Sequence, residues 1–168
     1  MKPAGRARPK YALAELERRW LVIERRLAGL ELGAAHVIRD RYLDGARLRL
    51  RRMGSPAGGV VHKLCKKYGD ASPGAESVTN LYLSASEYAL LETLPGWVVE
   101  KLRYRCLGGS LDHYQRDGDA LWVFEREFAD PGSADAFPDP LFAGREITAD
   151  ADFTGAALAR RFGSSSIH

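Results

Sequence analysis

The sequence predicts a mainly β domain of the α+β kind, and three observations carry that prediction. Several segments alternate strictly between apolar and ionisable residues, the period of a strand with two chemically different faces. Turn signals at Asp44-Gly45, Gly54–Gly59, Pro95-Gly96 and Arg116–Asp119 fall between those segments. Helical spacing with clear limits is confined to Ser84–Leu94 and to a segment near Thr154–Phe162.

With 168 residues and 45% hydrophobic content, the chain can bury one substantial core, and nothing in it calls for a second domain. Residues 1–10, basic and interrupted by Pro3, Gly5 and Pro9, read as a flexible tail. Residues 11–163 form the single domain, and 164–168 are a closing tail. No apolar run reaches the 18 residues or so that a membrane span needs, and the basic N-terminus lacks the apolar stretch of a signal sequence, so a soluble, cytoplasmic protein is expected. Cys65 and Cys106, with 40 residues between them, suit neither a zinc site nor a disulfide framework and are expected to be reduced thiols. The net charge of +3 is mild, but Lys and Arg are bunched, which favours an anionic partner such as a phosphorylated small molecule or a nucleic acid.

The stretch Ala14–Val22 supports two periodicities. As a helix it continues the a/d spacing of Leu13, Leu16, Trp20, Ile23, Leu27 and Leu30; as a strand it places Glu15, Glu17 and Arg19 on one face and Leu16, Trp20 and Val22 on the other. The strands downstream decide for the second, with Trp20 packed outward under a helix. Glu24–Val37 carries a short helical pattern that loosens at Gly29 and Gly33, and Val37–Leu43 is a strand ending at Asp44-Gly45. Ala46–Met53 alternates cleanly, with Arg47, Arg49 and Arg51 opposite Leu48 and Leu50. In the next segment Val61, Lys63, Cys65 and Lys67 share one parity.

After a Gly/Ser/Pro loop over 69–75, Glu76–Ser84 is rich in β-branched and aromatic residues and reads as a strand. Ser84 and Glu87 have capping-box spacing ahead of Tyr88, Leu91 and Leu94, which marks a helix ended by Pro95-Gly96. Trp97–Leu107 sets Lys101, Arg103 and Arg105 opposite Leu102, Tyr104 and Cys106. A hairpin around Arg116–Asp119 then leads into a strand with Val123, Glu125 and Glu127 on one face and Trp122, Phe124 and Phe128 on the other.

Two arrangements satisfy these strands. Their apolar faces can meet in a sandwich with all charges in water, or the sheet can close into a barrel whose lumen holds the charge and whose outside is covered by helices. The sign pattern supports the barrel. Basic residues facing one another need compensation, and Glu15, Glu17, Glu125 and Glu127 supply it. Arginine forks beside paired carboxylates suit a polyphosphate bridged to a hard divalent cation. Nucleic acid is disfavoured, because it has no use for the E-x-E pairs and wants interleaved aromatic platforms. His62 and His113 have no partner at metal-ligand spacing and read as structural, and neither a P-loop nor a Ser/His/Asp elbow is present.

From about Glu15 to Ala159 the chain resembles the CYTH, or triphosphate tunnel metalloenzyme, superfamily. Glu15-Leu-Glu17-Arg-Arg19 is similar to its E-x-E-x-K signature, and Tyr42-Leu43 with Arg47-Leu-Arg49 to its YL and R-x-R strands. Lys67 falls at the lysine of its L-T-x-K, and Lys101-Leu-Arg103 at its K-x-R. Asp112 matches its isolated aspartate, Glu125-Arg-Glu127 its late E-x-E, and the run from Gly144 to Ala159 its closing segment. The resemblance implies an eight-stranded antiparallel β-barrel forming a charged tunnel with flanking helices. It also implies metal-dependent hydrolysis of a triphosphate, inorganic tripolyphosphate or an organic or nucleoside triphosphate, with Mg²⁺ or Mn²⁺ as cofactor.

By the same carry-over Glu15, Glu17 and Arg19 are the catalytic set, and Arg19, Arg47, Arg49, Lys67, Lys101 and Arg103 bind phosphate. Glu15, Glu17, Asp112, Glu125 and Glu127 hold metal. The sequence departs from the pattern in two places. Arginine stands at position 19 for the signature lysine, keeping the charge but never giving up a proton. The positions matching the further E-x-E of a central strand are Val78 and Asn80, with Glu76 at the same parity. These departures keep two alternatives open: a tunnel that binds polyphosphate with little or no turnover, and a class IV adenylyl cyclase. Apolar faces left outside such a tunnel would suit a homodimer.

Overall fold

The computed structural model describes residues 9–69 and 75–166; residues 1–8 of the basic tail, residues 70–74 of the loop over 69–75 and the last two residues lie outside them. Eight strands close on themselves. They are β1 (Leu13–Val22), β2 (His36–Leu43), β3 (Leu48–Gly54), β4 (Val60–Lys67), β5 (Ala75–Leu83), β6 (Gly96–Cys106), β7 (Gly109–Arg116) and β8 (Asp119–Phe128). Around the ring they run β1-β5-β4-β3-β2-β6-β7-β8 and back to β1, every neighbouring pair antiparallel. The expected antiparallel barrel is therefore the fold.

Strand β1 resolves its two periodicities as the downstream strands require. Glu15, Glu17 and Arg19 face the interior, and Trp20 faces out, fully buried against Phe124, Phe137 and Phe142. Its cover is the chain following a short helix α2 (Pro131–Ala136), whose residue Asp139 accepts a 2.9 Å hydrogen bond from the indole N–H. The helical pattern of 24–37 does not materialise beyond one 3₁₀ turn at Glu24–Leu27. Gly29 turns at φ 88°, and Leu27 and Leu32 pack against the Trp20 cluster instead. The hairpin between β7 and β8 is tight because Asp117 and Gly118 both take positive φ, the pair of angles a type I′ turn requires.

Helix α1 (Ala85–Leu91) begins with the full capping box of Ser84 and Glu87 and lies outside β4 and β5. A short strand β9 (Ala143–Glu146) extends the sheet from β1 at Trp20 and Val22. Helix α3 (Gly155–Phe162), capped by Thr154, crosses one end of the barrel. Its Leu158, Ala159 and Phe162 pack on Val99, Tyr114 and Val123, which share strand faces with the interior charges. One end of the lumen is thus apolar and stoppered by a helix. After it, Ser164–Ser166, assigned to the tail on sequence, pair with Gly96–Val98 as strand β10. Among the described residues no helix is long and apolar enough to cross a membrane.

Candidate functional site

The barrel interior holds a cavity of about 1100 Å³. Alternation decides its lining: each strand sends every second side chain inward, and the register stacks those side chains in levels. From β1 and β8 come Glu15, Glu17, Arg19, Glu125 and Glu127. Strands β3 and β4 contribute Arg49, Arg51, Met53, Lys63 and Lys67, with Arg47 just ahead of β3, and β6 contributes Lys101, Arg103 and Arg105. Register puts Glu17 opposite Glu127, Arg19 opposite Glu125, Glu15 opposite Glu76, and Arg103 opposite Asp112.

These groups divide into those that hold one another and those that do not. Asp112, fully buried at 0% exposure, accepts hydrogen bonds from Arg103 Nε at 2.6 Å and Nη2 at 2.7 Å, and from Lys101 Nζ. Lys101 also donates to the Tyr114 hydroxyl at 3.0 Å. Arg103 pairs with Glu125 as well, and Arg19 approaches Glu125 at 3.7 Å while donating to the Phe153 carbonyl at 2.7 Å. Burial raises the Glu125 pKa, but Arg103, Lys101 and Arg19 outweigh it and hold this carboxyl well below the carboxylate range. Lys67 is bound to Glu76 at 2.9 Å.

Glu15, Glu17 and Glu127 form no ion pair among the described residues, and neither do Arg47, Arg49, Lys63 and Arg105. Burial, followed by the like charge of Glu125, pushes Glu17 up to about 7. Glu15 is raised too, chiefly by burial, with Lys67 opposing and Glu127 adding to it. On the other wall, Arg49 keeps a buried Nε with no hydrogen-bond partner. Carboxylates without cations occupy β1 and β8. Cations without carboxylates occupy β3 and β4 and, at Arg105, β6, two to four strands away around the ring.

Of the residues carried over from the motifs, Glu15, Glu17, Arg19, Arg47, Arg49, Lys67, Lys101, Arg103, Glu125 and Glu127 all line the cavity. Asp112 is beneath it, its carboxylate taken up by Lys101 and Arg103. Val78 is buried at the level of Lys67, and Asn80 lines the cavity further toward the open end. No three His, Cys, Asp or Glu side chains among the described residues converge on a single metal position. The donor chemistry still fits a hard divalent cation: Glu15, Glu17 and Glu127 are oxygen ligands with no direct ion pair among the described residues, and Mg²⁺ commonly takes only one or two carboxylates and completes its shell with water and substrate phosphate.

Sequence reasoning left three interior groups out of the site. Asp40 on β2 is 1% exposed and grips Arg51 through two hydrogen bonds, both 2.7 Å. Arg51 and Lys63 have the parity of Arg49 and Lys67 and could have been placed with them on that signal alone. Asp40 gave no such signal, because its strand mixes His36, Ile38 and Tyr42 on the same face. His113 stacks on Trp122 with centroids 4.0 Å apart and keeps a buried Nε2 with no hydrogen-bond partner, and His62 packs against Tyr88. Cys65 and Cys106 are free thiols.

No protein-family model matches the chain, and no curated protein matches it. Solved structures do. Two structures of NE1496, one described as a hypothetical protein and one as an inorganic triphosphatase, align over 86% of this chain at 23% identity. They span 97% and 93% of their own lengths, with TM-scores of 0.53 and 0.52. A candidate adenylate cyclase (bh2851) from Bacillus halodurans aligns over 74% of this chain and 86% of its own at 21% identity, with a TM-score of 0.56. At these identities the likeness is one of fold. The barrel implied by the motif resemblance is the architecture that these structures share with this chain.

Proposed function

We propose that the chain hydrolyses the terminal phosphoanhydride of a triphosphate, with Mg²⁺ or Mn²⁺ held by one or two of the carboxylates Glu15, Glu17 and Glu127. One observation carries this reading. The interior sets unpaired Arg47, Arg49 and Lys63 on one wall against unpaired carboxylates on the other, the complement of a polyanion bridged to a cation. The description of a fold neighbour as an inorganic triphosphatase agrees with it.

In this reading Arg49, Arg47 and Lys63 grip the phosphoryl oxygens. Lys101 and Arg103, fixed by Asp112, present the remaining positive charge from a rigid mount, so Asp112 acts as an anchor for these two cations rather than as a metal ligand. A bound divalent cation would draw negative charge from the phosphoryl oxygens. Water attacks the terminal phosphorus in line, and the bridging P–O bond breaks with its electron pair leaving on diphosphate. Whichever of Glu15 and Glu17 the cation leaves free would orient the water and take its proton. Arg19 cannot donate a proton; held by Phe153 and Glu125, it contributes fixed charge only.

The test is release of orthophosphate from tripolyphosphate, ATP and thiamine triphosphate with Mg²⁺ or Mn²⁺. Release abolished by Glu17→Gln and Glu127→Gln supports the reading, and a clean preparation releasing none from any of the three rejects it. A second reading, binding with little turnover, draws on Val78, which puts a buried apolar side chain on the interior face of β5. Binding of tripolyphosphate without hydrolysis selects that reading. Pyrophosphate and cyclic AMP formed from ATP select a cyclase.

A further inference from the structure

The interior ion pairs are not equally tight. Asp112 takes Lys101 and Arg103 together, Asp40 takes Arg51 through two hydrogen bonds, and Glu125 takes Arg103 with Arg19 close by. The pair of Lys67 and Glu76 is looser. One hydrogen bond of 2.9 Å joins Nζ to Oε2, and the two side chains are 36% and 28% exposed, the highest values among these pairs.

Register explains why this pair forms. Lys67 stands opposite Val78 of β5, and Glu76 is one inward position earlier on that strand. Glu76 in turn faces Glu15 of β1 directly across the ladder, where like charges repel. Lys67 relieves that repulsion. Burial disfavours its ammonium, but the hydrogen bond to Glu76 and the charges of Glu17, Glu76 and Glu15 outweigh burial and favour the charged form. On its other side Lys67 adjoins cations with no ion pair among the described residues. Its backbone N–H donates to the Arg47 carbonyl at 3.1 Å, and Arg49 lies opposite Cys65, one inward position along β4. An anion gripped by Arg47 and Arg49 therefore comes within one strand step of two residues, roughly 7 Å, of Lys67. A lysine head on its flexible stem can turn from one partner to the other.

We infer that Glu76 is an internal competitor for Lys67: its carboxylate holds the ammonium aside, and an anion bound at Arg47 and Arg49 displaces it before Lys67 joins the grip. The inference rests on the triphosphate reading of the interior and gives Glu76 a part in it as a positioning residue that acts through Lys67. Asp112 cannot be displaced in the same way, because it is fully buried and shared by two cations. Displacement leaves Glu76 facing Glu15 without compensation. Affinity is thus set by the difference between two partners of one lysine, a carboxylate and a phosphate, and Glu76 lowers it.

Calorimetry on the whole chain with inorganic tripolyphosphate in metal-free buffer tests this through a double-mutant cycle of Glu76→Gln and Lys67→Met. Glu76→Gln is expected to tighten binding about fivefold, the upper end for an ion pair this exposed. Such a gain is not produced by damage to the fold. In the Lys67→Met background the same change is expected to tighten binding less than twofold, since only the repulsion between Glu76 and the anion is then removed. Equal tightening in the two backgrounds marks Glu76 as a general negative charge and overturns the inference, as does no tightening in the wild-type background; either result leaves the triphosphate reading standing. A chain that binds no tripolyphosphate, with or without Glu76→Gln, overturns both.

Discussion

Asp40 and Arg51 face each other across β2 and β3 inside the barrel, joined by two parallel hydrogen bonds of 2.7 Å and almost wholly removed from solvent. Burial alone would raise the Asp40 pKa, but Arg51 and Arg49 pull it far below the usual carboxylate range. A depressed carboxylate contributes stability that is present above its unfolded pKa, about 4, and is lost as pH falls through the folded value. Asp40→Asn is therefore expected to destabilise the fold by about 3 kcal/mol at pH 7, since it leaves Arg51 without its partner, and by progressively less as pH drops below 4. Asp40→Asn combined with Arg51→Met should recover most of the loss. Urea unfolding across pH checks both.

Glu17 has the opposite sign. With its pKa raised to about 7, a proton competes with any cation for this carboxylate, so divalent-cation affinity should fall as pH decreases from 8 to 6. Calorimetry with Mn²⁺ in buffers of different ionisation enthalpy should register proton release on binding near pH 7, and Glu17→Gln should abolish that release. Unchanged affinity across the range would remove Glu17 from the cation site.

Arg49 and Arg103 are both interior arginines, yet they should fail differently. Arg49 makes no direct ion pair, although its charge helps to hold Asp40 ionised, so Arg49→Ala should weaken tripolyphosphate binding tenfold or more and cost less stability than Arg103→Ala. Arg103→Ala strips Asp112 of two of its hydrogen bonds and Glu125 of its closest cation, and is expected to cost about 3–5 kcal/mol of stability. Paired binding and unfolding measurements on the two variants separate the roles.

Gly155 opens α3 against the ring and hydroxyl of Tyr42, where a Cβ would collide with the phenol. Alanine is ordinarily the better helix former, but Gly155→Ala should here destabilise by about 2 kcal/mol through overpacking. Adding Tyr42→Phe should relieve part of that cost, as a thermal unfolding series would show.

Much of the barrel was legible because its interior is charged: Arg49 and Arg51 on β3, and Lys101 and Arg103 on β6, mark every second position with one sign. Where the lumen turns apolar beneath α3 the code disappears, and β2 shows why. Its inward side carries Ile38 beside Asp40 and Tyr42, while its outward Arg39 and Arg41 serve Glu100 and the Leu94 carbonyl. The candidate site was legible as a set of residues but not as a set of pairs. That Asp112 is consumed by Lys101 and Arg103, whereas Glu17 is left free, depends on which residues the register sets opposite one another. Alternation within a single strand carries no such information. Strands β9 and β10 were missed for a related reason, since four- and three-residue segments become strands only because β1 and β6 have an edge to offer.

Strand β1 joins β5 through only four residue pairs, Leu13–Leu16, and it meets β8 at Arg19 with Glu125, 106 residues further along the chain. Contacts so distant in sequence close late, after the hairpins β2–β3, β3–β4 and β7–β8 have had every chance to form locally. The ring can thus exist as an open sheet with its cationic strands in place while the strand bearing Glu15 and Glu17 is still undocked. The free carboxylates of β1 and the free cations of β3 and β4 meet only at the final closure, so a ribosome-bound chain gains its complete site no earlier than the emergence of β8. Recovery of cation binding during refolding would then time that last step.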